Sequence, residues 1–190
     1  MAHNYFIGSS TALAGTTALF NDTIDYLSGS GIDYTATLAV GDKVIVAGQT
    51  LTISRVVNSA IAEVTENVTP VSGMLLYRMR NLTALNVSHP KGYFRPFVEQ
   101  RRLGNGQLRN LGRPVATWTW GLVARAQRDV LRTYCTGPSA SVYIRTSTNE
   151  SGDTFATYSA IVDWPDESDR QSGRRLNFVL TFGSLVPILP

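Results

Sequence analysis

The sequence predicts a mainly β protein: two packed β-sheets or a β-barrel with one flanking α-helix, preceded by a small N-terminal β module. Three observations carry this. Near the C-terminus Leu176, Phe178, Leu180 and Phe182 alternate with Asn177, Val179 and Thr181, the two-residue period of a strand with one buried face. Only Leu122 to Tyr134 shows helical spacing, with Val123, Ala126, Val130, Leu131 and Tyr134 recurring every three or four residues. Residues 8 to 70 are rich in Ala, Thr, Gly, Ser and Val, a mixture suited to short strands and tight turns.

Along the chain, Gly41-Asp42 and Gly48-Gln49 flank the run KVIVA, and LTISRVV follows, which predicts a strand, a turn and a strand. IAEVTENV reads as a further strand whose buried side its own pattern leaves open, since Ile61, Glu63 and Thr65 oppose Ala62, Val64 and Glu66. Residues 74 to 90 are expected to cross between two units as strand or extended chain, which divides the chain into a β-rich module over 1–80 and a second unit over 81–190. In the second unit Phe94 to Val98 and Val115 to Trp120 are strand candidates. Between them lies a polar hairpin turning at Gly104-Asn105-Gly106, with Arg101, Arg102, Arg109 and Arg113 beside the turn. The helix over 122–134 stops at Gly137-Pro138. SVYIRTS, FATYSAIVDW and LNFVLTF then supply three strands, the second with apolar residues on both faces, as expected where one side meets the core and the other a partner.

A hydrophobic fraction of 43% and a charged fraction of 16% fit a folded chain and exclude a solvating, disordered one. Net charge is only +3, so general attraction to nucleic acid phosphates is weak. All basic residues except Lys43 and Lys91 are Arg, the cation suited to bidentate pairing with carboxylates at interfaces. The single Cys135 excludes an internal disulfide and is read as a small buried side chain. The opening residues lack the basic start and apolar core of a secretory signal, and no apolar run approaches a membrane span, so no membrane association is expected.

Catalytic equipment is sparse. His3 and His89 are far apart, and neither a zinc-ligand spacing, a nucleophile elbow nor a phosphate-binding loop occurs. No metal and no cofactor is expected. Asp163, Asp166, Glu167 and Asp169 cluster beside Trp164, but Arg170, Arg174 and Arg175 share the same turn, so ion pairs explain them more simply than glycoside hydrolysis does. Trp118 and Trp120 are two apart on one strand and share a face. Packing against the following helix is the simpler reading, and a platform for a sugar or base is the other.

The segments LGRPVATWTW, the Arg- and Gln-bearing helix ending in LRTYC, SASVYIRT and YSAIVDWP, in that order between Arg113 and Ile188, resemble a family of tailed-bacteriophage virion proteins. More loosely, Gly15-Thr16-Thr17, the LAVGD turn at Leu38 to Asp42 and the hairpin at Gly48 resemble small β modules attached to such proteins. The resemblance implies a structural, non-enzymatic protein of the virion tail, assembled in the host cytoplasm. Most specifically it implies a tail-tube subunit that forms stacked, hexameric homo-oligomeric rings around passing DNA and meets other virion proteins. Arg101, Arg102, Arg109 and Arg113 are then the assembly candidates. Two other readings stay open: a head-tail connector, tail terminator, distal-tail or capsid-decorating protein, and, from another class, a carbohydrate-binding β module using Trp118 and Trp120.

Overall fold

The computed structural model describes residues 4–149, 153–165 and 174–188. The strands and helices run, in order, β1 (Phe6–Ser9), β2 (Thr16–Phe20), β3 (Tyr26–Ser30), α1 (Tyr34–Thr37), β4 (Lys43–Val46), β5 (Gln49–Val56), β6 (Ile61–Val64), β7 (Val71–Met74) and β8 (Leu76–Asn81). The second half adds β9 (Lys91–Arg95), β10 (Glu99–Arg102), β11 (Leu108–Leu111), β12 (Val115–Ala124), α2 (Arg125–Arg132), β13 (Ser139–Ser147), β14 (Phe155–Asp163) and β15 (Arg174–Pro187). The protein is therefore mainly β. Thirteen strands join edge to edge in the order β7-β2-β3-β6-β5-β4-β8-β1-β13-β14-β15-β12-β9, while β10 and β11 form a separate ribbon.

This long antiparallel sheet curls around two cores. The first is enclosed by Leu19, Leu27, Val44, Val46, Leu51, Ile53, Ala62, Val64 and Leu76, with Tyr34 closing it from α1. The side of β6 that its own pattern left open is thereby decided, since Ala62 and Val64 are the buried pair. The turn between β4 and β5 places Ala47 and Gly48 at positive φ of 50° and 81°, which gives the two-residue hairpin a twist that matches its strands. At its other end Asp42 is buried, with Oδ2 accepting from the Ala39 amide at 3.1 Å and Oδ1 lying 3.6 Å from Arg80 Nε. Burial raises the Asp42 pKa, while the Ala39 amide, Arg80 and Arg78 act in the opposite direction.

The second core collects Ile7, Ala116, Trp118, Trp120, Val142, Ile144, Val162, Phe178, Leu180 and Phe182, with Leu131 from α2. The alternation expected around Phe178, Leu180 and Phe182 is the one observed. β1 lies between the two halves of the sheet, bonded to β8 on one side and β13 on the other. Ile7 enters the second core, whereas Phe6 joins Ile45 and Met79 in a third cluster on the opposite face. Such close strand pairing requires Gly8, because a Cβ there would collide with the Arg78 carbonyl of β8.

Three local expectations need correction. The strand expected over Phe94 to Val98 runs instead from Lys91 to Arg95, because pairing with β12 spans those residues and Pro96 follows them. The helix begins at Arg125, not Leu122, because Leu122, Val123 and Ala124 remain in β12, opposite Leu176, Arg175 and Arg174 of β15. Inter-strand pairing outweighs helical spacing over those three residues, and Ala124 becomes the N-cap, its amide bonded to Gln127 Oε1 at 3.2 Å. A single helical turn also interrupts the N-terminal β region, where no helix was expected. Asp33 caps it, with Oδ1 accepting from the Thr35 and Ala36 amides.

Candidate assembly interface

The polar hairpin forms as the Gly/Asn turn predicts. In the β10–β11 ribbon Glu99 faces Leu111, Gln100 faces Asn110, Arg101 faces Arg109 and Arg102 faces Leu108. The Leu103 amide donates to Gln107 O at 2.8 Å, and the Gly106 amide to Leu103 O at 2.8 Å. Gly106 sits at φ 83°, a left-handed conformation that favours glycine. One face of the ribbon thus carries Glu99, Arg101, Arg109 and Leu111, and the other Gln100, Arg102, Leu108 and Asn110.

Directly opposed arginines repel. Arg101 is relieved by Glu99, whose Oε1 accepts from its Nε at 2.8 Å. Among the described residues, no carboxylate lies within ion-pair distance of Arg102, Arg109 or Arg113. The structure therefore brings Arg101, Arg102 and Arg109 together on the ribbon and leaves Arg113 at its foot, just after Gly112. From Lys91 to Arg113 the sequence holds six basic residues and one acid.

Every ribbon residue is exposed except Leu111, which is half-buried. A two-stranded hairpin standing alone is marginal in water, and this one also exposes Leu108 at 58% and Val98 at 57%. At its foot, Tyr93, Phe94, Pro96 and Gln100 line a cleft of about 480 Å³ with Thr148 and Asn149. Among the described residues, the adjacent strand β9 is an edge of the large sheet and bonds only β12, and β7 is the other edge and bonds only β2. Lys91 and Arg95 are exposed on β9, and such charges discourage indiscriminate edge pairing. The sequence reading missed this coupling of apolar side chains, basic residues and a free edge. Its only visible signal was the pair Leu103 and Leu108 bracketing an otherwise polar turn.

Trp118 and Trp120 lie elsewhere, inside the second core, at 0% and 2% exposure. Trp118 Nε1 donates to Thr146 Oγ1 at 2.9 Å, and Trp120 Nε1 to the Ser88 carbonyl at 2.6 Å. The Trp118 ring meets Phe182 and Tyr5 edge-on, with centroids 4.6 and 5.5 Å apart. Neither indole offers an open face to a sugar or a base.

Cys135 is buried beside the Val162 carbonyl, and burial raises its thiol pKa. His89 Nε2 lies 3.0 Å from Thr83 Oγ1. His3, Asp166, Glu167, Asp169 and Arg170 lie outside the described residues, as do the side chains of Arg174 and Arg175. Asp163 is exposed at the end of β14. Trp164 is half-buried, with the Arg132 guanidinium 4.6 Å from its ring centre. Among the described residues, no group of three or more His, Cys, Asp or Glu is placed to hold a metal ion.

No family model, curated protein or solved structure matches this chain. The geometry of the ribbon and of the sheet edges therefore carries the functional reading.

Proposed function

We propose that this protein is a structural subunit of a bacteriophage tail, in the first instance a tail-tube subunit, and that copies join head to tail through the Glu99–Leu111 ribbon. The observation that carries the reading is the ribbon itself, a basic two-stranded arm with exposed leucines that stands apart from the thirteen-stranded sheet. Burial against a neighbour would remove its apolar side chains from water and give Arg102 and Arg109 carboxylate partners.

Exposed carboxylates on the same chain are candidate partners for these arginines. Residues 1 to 80 carry six acidic and four basic groups, and Asp22 and Asp33 are exposed there. A basic arm on one copy that meets these carboxylates on the next makes a heterologous contact, the type that closes into rings or extends into filaments. Stacked hexameric rings around passing DNA are the form that the phage resemblance adds. The edges at β7 and β9 are additional places where neighbouring copies can meet. No described helix is long and apolar enough to cross a membrane, and the location that goes with this reading is the virion tail.

Negative-stain microscopy and sedimentation of the purified full chain test the proposal. Uniform rings or tubes are expected for the native protein, and monomers of unchanged fold for the double variant Arg102→Glu, Arg109→Glu. A native protein that stays monomeric at high concentration would overturn it, as would a double variant that assembles normally.

A further inference from the structure

A cavity of about 260 Å³ lies at the seam between the two halves of the sheet and is lined by Lys43, Thr50, Glu66, Arg145, Phe155 and Thr157, among others. Strand register explains why the two cations converge there. Arg145 of β13 lies opposite Phe6 of β1, and Lys43 of β4 lies opposite Met79 of β8. Phe6 and Met79 belong to one cluster on one face of the sheet, and directly paired residues project to the same face. Lys43 Nζ accordingly lies 5.6 Å from the Phe6 ring centre.

The charges in this cavity do not balance. Glu66 is already engaged: its carboxylate accepts from the Thr52 amide and the Thr52 hydroxyl at 2.5 Å each, and its Oε1 lies 3.8 Å from Lys43 Nζ. Lys43 also donates to Thr52 Oγ1 at 2.6 Å. Among the described residues, Arg145 has only a long bond from Nη1 to Thr157 Oγ1, at 3.4 Å, and its buried Nε has no acceptor. The buried hydroxyl of Thr50 on the same wall is also unpartnered. Among the described residues, two cations thus face one carboxylate that is held mainly by another residue. Burial lowers the pKa of Lys43, with neighbouring Arg145 as the second cause, and burial likewise lowers that of Arg145. Buried charges are ordinarily paired, and an unpaired guanidinium edge away from water is costly.

We propose that this seam cavity is a binding site for a small oxyanion, a phosphate or a carboxylate group, held by the Nε side of Arg145 with Lys43 as the second cation. A guanidinium edge matches the two oxygens of either group. Thr50 and Thr157 supply hydroxyls on the same walls, and Phe155 supplies an apolar side. Because the guest touches both β4 and β13, occupancy ties the two halves of the sheet together, and stability rises with ligand concentration.

The test uses the full chain at low protein concentration, titrated with sodium phosphate and, separately, with sodium acetate, against sodium chloride at matched ionic strength. Calorimetry and thermal unfolding are the readouts. Saturable heat and a saturable rise in Tm with phosphate, acetate or both are expected, and the anion that saturates identifies the guest chemistry. Arg145→Gln should weaken that binding by about tenfold or more, the effect of losing a charge-assisted hydrogen bond. If circular dichroism shows that Arg145→Gln does not fold, Lys43→Met becomes the deciding variant, with the same weakening expected. Native protein that responds to neither anion beyond chloride overturns the proposal. Unchanged affinity in the folded deciding variant does so as well.

Discussion

Replacing Trp118 tests whether the second core depends on this side chain. The ring is fully buried, packs edge-on against Phe182 and Tyr5, and donates its N–H to Thr146, itself fully buried on β13. Truncation to alanine removes the largest of the fully buried side chains and should cost about 3–5 kcal/mol. A finer perturbation isolates the hydrogen bond. Trp118→Phe keeps much of the ring volume but deprives Thr146 Oγ1 of its indole donor, whereas Thr146→Val leaves the indole N–H stranded. Each should cost about 1–3 kcal/mol for the orphaned polar group, on top of any repacking. The double variant removes both partners, so its cost should fall short of the sum by about 1–2 kcal/mol. Urea unfolding of the four unassembled proteins at constant m-value measures the cycle. Strict additivity, or a Trp118→Ala cost below about 1 kcal/mol, would refute the packing argument.

Three further outcomes are expected. Gly8→Ala should destabilise by about 1–3 kcal/mol in chemical denaturation, because the added methyl meets the Arg78 carbonyl and separates β1 from β8. Glu66 is held below the ordinary glutamate value of about 4.5: burial opposes this, but the Thr52 donors and Lys43 outweigh it. Its contribution to stability is therefore present above that value and is lost as pH falls through the lowered folded-state pKa; Glu66→Gln should remove this part of the acid slope in Tm measured against pH. Assembly through the arginine arm should weaken with salt, since the screening length falls from about 10 Å at 0.1 M to about 3 Å at 1 M. Light scattering that stays flat across that range would point to apolar contacts as the main attraction.

Local patterns made much of the architecture legible. The β4–β5 hairpin could be read from KVIVA, Gly48 and LTISRVV, β15 from the alternation that fixes its buried face, and β13 and β14 from their β-branched and aromatic runs. The ribbon was legible through its Gly/Asn turn. Features set by distant partners were not. β1 has only four residues, two of them Gly8 and Ser9, and its strand character comes from β8 and β13. Leu122 to Ala124 fit a helix by spacing until their pairing with β15 is included. The seam cavity was likewise invisible, since Lys43, Glu66 and Arg145 are scattered along the chain and converge only through sheet register.

The position of β1 also has a kinetic consequence. Phe6 pairs with Arg145, so β1 leaves the ribosome long before its second neighbour, β13, exists. Closing so long a loop costs entropy before any contact is gained, and folds dominated by such pairings are slow. The strands around the first core lie within residues 16–81 and can form early. β1 then completes the seam late, when β13 arrives. Until that moment the β13-facing edge of β1 remains an open template, so the nascent chain is exposed to misplaced strand pairing between the emergence of β8 and that of β13.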